Sequence, residues 1–429
     1  MRTIVFTLWK LALRLLRAPF SLFLALGFRF LVGLRRVIAL SLKSNVDRAI
    51  TRTPDLTNLA IERGKKLRVA IIRFDGVGDI ALTFPLVDAL QKNQNVIEVA
   101  FFIPQRVFGA IKNFISVPII AVKPFTIHYP RVTRLALHRL FIYSFMGPLF
   151  SFVQGRRYSR KMGRFDLVLL PRWDHDLDLN TRYFARGLGG LTYGHDPRLI
   201  ENQSREGFEY RLLDFVCESP QRDAHELDHL QDFAGRLGIK ISKSGYLGAN
   251  LVEKSPRKSK CFLQVNAALQ KREWSISNWK ELLRVLLDSY PEWLFEVNVS
   301  ATETFNEIVL GLDPAEKNRV QKVDSTKAGE LFAQLSNTLL YVGSDTGPMH
   351  LAEYLEIPTI VISCHPKSGR NDHVNSPHRF GNSKTRGKWL SPDVGLDNCR
   401  DGCISEESHC IGQVTPCMVT QAVKEIIEK

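Results

Sequence analysis

Apolar positions along the chain alternate between two patterns. Short runs dense in β-branched and aromatic residues occur at 67–74, 98–103, 115–122 and 166–170 and read as strands, while 80–90 repeats its apolar residues with helical spacing. A polar stretch, Lys254-Ser-Pro-Arg-Lys-Ser-Lys260, interrupts the rhythm and reads as an interdomain linker. The alternation then restarts. Strands are expected at 261–265, 293–299, around Val320, 338–343 and 359–363, with helices at 278–289, 304–312, 328–335, 348–355 and 414–429. Continuous apolar strands separated by helices describe an α/β fold, whose parallel sheets are covered on both faces. The expected organisation is an amino-terminal helix and linker over 1–66, then two Rossmann-like domains over 67–253 and 254–429.

Residues 3–42 follow neither pattern. They are rich in Leu, Phe, Ile and Val, yet Lys10, Arg14, Arg17, Arg29, Arg35 and Arg36 punctuate them. The run from Ala18 to Phe28 is too short to span the roughly 30 Å of a bilayer core. Lys10, Arg14 and Arg17 share one helical face, which suits a basic amphipathic helix lying in an anionic interface. A tilted span and a helix packed on its own domain remain the alternatives. Residues 43–66 are polar and read as linker. A second basic and aromatic stretch, 129–165, is either another surface for an amphiphile or a helix pair with a solvated face.

Charge sharpens this division. Of the net +14, residues 1–68 hold fourteen Lys/Arg against three Asp/Glu, a local +11, which leaves +3 for the rest. The basicity therefore concerns the amino-terminal segment and what it touches. No zinc-finger spacing, RNP motif or repeated Arg–aromatic platform is present, so nucleic acid is not an expected partner.

Two loops carry the chemistry. The first, Arg73-Phe-Asp-Gly76-Val-Gly78-Asp79, follows a strand pattern and precedes a helical one. Its glycines allow a sharp turn and close approach of a ligand. Asp79 serves there either as a helix cap or as a reacting carboxylate. The second, Gly343-Ser-Asp345-Thr346-Gly347-Pro-Met-His350, places backbone N–H groups at a helix start, a ready anion site. Asp345 complicates it, since a carboxylate repels phosphate unless it faces another partner. His350, one turn on, is a site residue or a satisfied structural histidine. Between them in the chain, Lys271 and Arg272 sit on a strand-end loop, either neutralising a diphosphate or lying idle at the surface. Carboxyl ends of parallel strands are where open α/β sheets bind ligands, so two such sites suggest two domains facing one cleft.

Taken in order, these motifs resemble glycosyltransferase family 9, the ADP-heptose:lipopolysaccharide heptosyltransferases. Ile72-Arg73 with Gly78-Asp79 and Pro85 is similar to the family's opening. Asp345-Thr346-Gly347-x-x-His350-Leu351-Ala352 is similar to its later signature, and Arg272-Glu273-Trp274 to its Lys-x-Trp element. The likeness runs from about residue 67 to the end. It implies a GT-B architecture and an inverting transfer without metal or other cofactor. The donor is then a nucleotide sugar, ADP-heptose, and the acceptor a glycolipid such as a lipopolysaccharide core. The setting it implies is the cytoplasmic face of a bacterial inner membrane, with the chain peripheral or single-span. Asp79 corresponds to the proposed general base. Lys271 and Arg272 correspond to the diphosphate-holding cations, and Glu303 to the carboxylate on the donor ribose. The amides of Thr346, Gly347 and the neighbours of Pro348 correspond to the leaving-group cradle, and the resemblance counts Asp345 and His350 with them as substrate-binding.

Seven cysteines remain, four of them in the terminal cluster Cys399, Cys403, Cys410 and Cys417, with His409 beside the third. An odd total in a long chain without a cleavable signal suggests a reducing compartment. The spacing is irregular for common zinc frameworks, so free buried thiols or a disulfide are expected ahead of zinc.

Overall fold

The structure, a computed structural model, describes residues 54–124, 134–172, 180–195, 212–218, 223–241, 259–267, 269–324, 330–373, 376–381, 387–396, 399 and 407–428, with backbone alone over 134–146. The amino-terminal helix expected over 3–42 lies outside these residues.

Twelve strands form two six-stranded parallel sheets. The first is built from β1 Leu67–Ile72, β2 Val96–Pro104, β3 Ile119–Val122, β4 Leu167–Leu170, β5 Leu191–His195 and β6 Phe215–Cys217. Its order is β3-β2-β1-β4-β5-β6. The second is built from β7 Lys260–Gln264, β8 Leu294–Asn298, β9 Val320–Val323, β10 Leu340–Ser344, β11 Thr359–Ile362 and β12 Lys388–Leu390. Its order is β12-β11-β10-β7-β8-β9, the same winding. Each sheet therefore reverses direction at one place, between β1 and β4 and between β7 and β10. Such reversals open the crevice in which doubly wound sheets take ligands. The loop 73–79 leaves β1. The loops 265–275 and 345–346 leave β7 and β10. All three sequence motifs thus emerge at switch points.

Two compact units make up the chain, one within residues 1–72 and 123–218, the other within 73–122 and 219–429. In the first unit, the helix Arg134–Met162 accounts for most of the basic, aromatic stretch. It is one continuous helix rather than a pair. It packs on the Thr181–Leu188 helix almost backbone to backbone. A Cβ on Gly155 would fall 2.2 Å from the carbonyl oxygen of Phe184, and one on Gly187 would fall 2.2 Å from that of Phe152. Only glycine permits that approach. Along the same helix Phe150 and Val153 are exposed together with Arg156, Arg157, Arg160 and Lys161. Among the described residues no helix is long and apolar enough to cross a membrane.

The polar run 43–66 is not all linker. Residues Leu56–Arg63 form a helix, with Asp55 Oδ1 accepting from Asn58 N at its start and Gly64, at φ +62°, closing its end. Both capping signals stand in the sequence. In the second unit the sheet core is closed by Trp274, Trp279, Leu282, Leu283 and Leu286 on one side of β7, β8 and β10. Among the described residues the protein buries its apolar strands on both faces, as parallel sheets require.

Candidate active site

The first motif folds differently from its sequence reading. The expected helix over 80–90 is two, Val77–Ala81 and Phe84–Gln91. Pro85 supplies the break, because proline belongs in a first turn and not in a helix interior. The cap of the first helix is Gly76, with no side-chain cap bond, and Asp79 lies inside that helix. Asp79 is therefore not a cap. Its carboxylate gains from the helix start without closing it.

Three charges converge there. Arg73 is buried, and its Nη2 lies 2.8 Å from Asp75 Oδ2 but 3.8 Å from Asp79 Oδ1. The side chain of Asp75 is 6% exposed and that of Asp79 is 41% exposed. Asp75 thus takes the tighter share of Arg73, and Asp79 is the carboxylate that solvent reaches. Arg106 Nη2 donates to the carbonyl of Asp75 at 3.0 Å and steadies the turn.

The second motif starts the helix Gly347–Tyr354, for which Thr346 is the N-cap. Pro348 has no N–H, and Met349 N–H donates to the carbonyl of Thr346 at 3.0 Å. The amides that head this helix toward an anion are consequently those of Thr346 and Gly347. Asp345 turns elsewhere. Its Oδ2 lies 3.6 Å from Arg272 Nη1 and its Oδ1 lies 3.9 Å from His350 Nε2. That arrangement sets its negative charge against the Arg272 guanidinium.

Arg272 is more than a surface cation. It sits on a single 3₁₀ turn, Gln270–Arg272, and its Nη1 donates to the carbonyl of Asp345 at 2.7 Å. In return Ser344 Oγ donates to the carbonyl of Arg272 at 2.6 Å. The two loops that leave β7 and β10 are thereby clasped across the switch point. Lys271 is half-buried on the same turn. Its charge, after burial, is the next cause holding the His373 ring below the usual imidazole range.

The first and second motifs also meet. A Cβ on Gly78 would fall 2.5 Å from His350 Cδ2, and one on Gly347 would fall 2.7 Å from Val77 Cβ. Glycine at both positions lets the two helix starts touch. Further along, Tyr354 Oη donates to Asp88 Oδ2 at 3.2 Å. Arg272, Asp345, Thr346, Gly347 and His350 therefore belong to one assembly, against which Gly78, the neighbour of Asp79, is packed. Glu303 does not join it. It is exposed in the first turn of the helix Thr302–Ile308, and among the described residues its carboxylate makes no hydrogen bond or ion pair.

One member went unread in the sequence. Glu353 is 1% exposed, and its Oε2 lies 3.8 Å from His350 Nδ1. The signal was the i, i+3 spacing from His350, which places both on one helical face. Burial, with Asp345 adding to it, raises the Glu353 carboxyl well above its usual range. Burial also pushes His350 down to about 4, only partly offset by Asp345. The His350 ring is thus neutral at pH 7.

This neutrality is measurable. The imidazole resonance of His350, assigned by loss in His350→Gln, should titrate with a midpoint about 4; a midpoint near 6.5 would contradict the burial argument. For stability the sign follows from the lowered folded value. The unfolded chain binds the proton first, so the contribution is present above about 6.5 and is lost as pH falls toward about 4. Glu353, with a raised value, works in the opposite direction, which is why the resonance is the cleaner readout.

Comparison with known proteins follows the same lines. Residues 228–368 match the family described as "Glycosyltransferase family 9 (heptosyltransferase)". No curated protein matches the chain. Among solved structures it is similar to the glycosyl transferase family 9 protein from Veillonella parvula DSM 2008, at 12% identity and TM-score 0.59, covering 85% of this chain and 98% of that one. It is similar to E. coli heptosyltransferase WaaC with ADP, at 18% identity and TM-score 0.59, covering 84% of this chain and 100% of that one. WaaC with ADP-2-deoxy-2-fluoro heptose gives 16% identity and TM-score 0.57, with 84% and 99% covered. The two six-stranded sheets are accordingly the GT-B fold of those heptosyltransferases. Residues 228–368 thus match the glycosyltransferase family 9 (heptosyltransferase) domain, on a fold shared with those heptosyltransferases.

Proposed function

We propose that this chain moves a heptose from ADP-heptose to a lipopolysaccharide core or related glycolipid, with inversion at the anomeric carbon. The observation that carries the reading is the clasp at the second switch point. It holds Arg272, Asp345 and His350 together, and Gly78, the neighbour of Asp79, lies against the His350 ring. The likeness in fold to WaaC, which was solved with ADP and with a fluorinated ADP-heptose, supports an ADP-linked donor.

In this mechanism Asp79 accepts the proton of an acceptor hydroxyl as that oxygen bonds to the anomeric carbon. The bond from that carbon to the diphosphate oxygen breaks, and the nucleoside diphosphate leaves with the electron pair. Lys271 and Arg272 offset its charge, and the amides of Thr346 and Gly347 bind it at the helix start. His350, neutral, keeps Asp345 beside Arg272 without adding charge of its own. Glu303, exposed and outside that assembly, is left with the donor ribose only as the resemblance implies. The domains in this reading are 67–253 for the acceptor and 254–429 for the donor. A panel of nucleotide sugars tested with glycolipid extract should give nucleotide release with ADP-heptose above all others. Equal or better release with another donor would keep the sugar-transfer reading and overturn the heptose assignment.

The acceptor is amphiphilic, and the proposal places the enzyme on the anionic cytoplasmic face of the inner membrane through residues 3–42. The exposed row Phe150, Val153, Arg157 and Arg160 is a second contact of the same chemistry. Deleting residues 1–42 should shift the protein from membrane to soluble fraction, because Lys and Arg near an anionic surface each add about 1 kcal/mol. Turnover on a short water-soluble acceptor should persist. A truncated chain that stays on membranes would transfer the anchoring role to the 134–162 helix.

A further inference from the structure

The terminal Cys/His segment is not used by any step above, and it is built as a site. Cys399 Sγ, His409 Nδ1 and Cys410 Sγ all lie within 4.8 Å of one another. The imidazole nitrogen is 3.3 Å from the Cys410 sulfur and 3.9 Å from the Cys399 sulfur. A tetrahedral zinc with two thiolates and one imidazole spaces its donors by about 3.6–3.8 Å, given the usual bond lengths. The two nitrogen–sulfur separations therefore bracket the required edge, and the sulfur pair lies within 4.8 Å. Both thiols are buried, at 2% and 0% exposure, while His409 is half-buried and leaves a side open.

Of the expected readings, the disulfide is not found: Cys399 and Cys410 are free, buried thiols, as the other reading has it. Burial alone leaves two features to explain: an imidazole nitrogen turned toward both sulfurs, and Leu396 N–H, which donates to Cys410 Sγ at 3.4 Å. Amide donors to sulfur are what a metal thiolate requires from its surroundings.

We propose that Cys399, His409 and Cys410 bind a zinc ion, its fourth position open to solvent, that ties the carboxyl-terminal segment to the Lys271–Trp274 loop. Two thiolates and an imidazole suit zinc better than magnesium, calcium or manganese, which prefer oxygen. Binding releases the two thiol protons and leaves oxidation states unchanged. The segment has reason to need a staple. Among the described residues between Leu396 and the last helix it holds only the short 3₁₀ turn Cys410–Gln413. It grips the donor-side loop at two points. Ser408 Oγ donates to the carbonyl of Glu273 at 2.7 Å, and Trp274 Nε1 donates to the carbonyl of Val414 at 2.7 Å. The ion sits between those grips and away from the reacting atoms, so its work is to hold the loop that carries Arg272.

The test uses the full-length protein, purified without chelator, with metal content read by mass spectrometry. The result expected is roughly one zinc per chain. Cys399→Ser and Cys410→Ser should lower it by about tenfold, and Cys417→Ser, at an exposed thiol, should leave it unchanged. Should the serine variants fail to fold, the wild-type protein loaded with cobalt(II) decides. Sulfur-to-cobalt charge-transfer absorption supports thiolate ligation, and its absence overturns the proposal. Zinc retained at full content in the folded Cys399→Ser protein, or a Cys399–Cys410 disulfide in peptide mapping, would also overturn it. Stripping the metal should raise hydrogen exchange at 271–274; unchanged exchange would refute the tie to the loop. None of these readouts uses turnover, so a failure here is distinct from a failure of the proposed reaction.

Discussion

Asp79→Asn should lower turnover by about 10²–10⁴-fold, the usual contribution of a positioned general base, while melting temperature and donor affinity stay near those of the unaltered protein. The split follows from the geometry. Asp79 is the exposed carboxylate of its loop, it caps no helix, and the buried partner of Arg73 is Asp75. Losing one negative charge from the first turn of a short helix costs about 0.3–1 kcal/mol. Asp75→Asn should behave in the reverse manner. It leaves buried Arg73 without its close carboxylate, so the main loss should be in melting temperature. Near-normal turnover in Asp79→Asn would remove the base assignment. A large stability loss with intact turnover would restore the structural role that the observed cap excludes.

Arg272→Ala is the second large effect. Removing a charge-assisted contact typically costs about 1.5–3 kcal/mol, which corresponds to roughly a 10- to 150-fold loss of affinity for the nucleoside diphosphate. This variant also opens the clasp, because Arg272 Nη1 holds the carbonyl of Asp345 and faces its carboxylate. An uncovered Asp345 then repels the diphosphate. The loss should therefore be partly recovered in Arg272→Ala combined with Asp345→Asn, and calorimetry with ADP reads both. Unchanged affinity in the single variant would move the diphosphate to Lys271 or elsewhere.

How far these features could be read beforehand depended on the kind of residue. Strands such as Leu67–Ile72 and Thr359–Ile362 are short, largely apolar runs rich in β-branched residues and almost wholly buried, a pattern that needs no tertiary information. Phe215–Cys217 and Lys388–Leu390 are three residues each, too short for any period to register. The helix of Leu56–Arg63 was hidden by its polarity, although Asp55 and Gly64 mark both ends. At the site, Asp79, Arg272 and the Asp345–His350 run were legible as motifs. Their partnerships were not. That Asp345 faces Arg272, that Gly78 makes room for His350, and that Glu353 completes a buried cluster all depend on loops from different strands converging. The cysteine and histidine donors were also visible, but their irregular spacing concealed that the chain brings Cys399 back to His409 and Cys410.

The central claim is a glycosyl transfer with inversion, in which Asp79 deprotonates the acceptor and a nucleoside diphosphate leaves from the clasped loops. Proton NMR of a complete reaction tests it most directly, by following the anomeric proton of the transferred sugar. The account predicts a glycosidic product whose anomeric configuration is opposite to that of the donor, formed in step with nucleoside diphosphate release and absent with Asp79→Asn. Retained configuration, or nucleotide release with no glycosidic product, would contradict it.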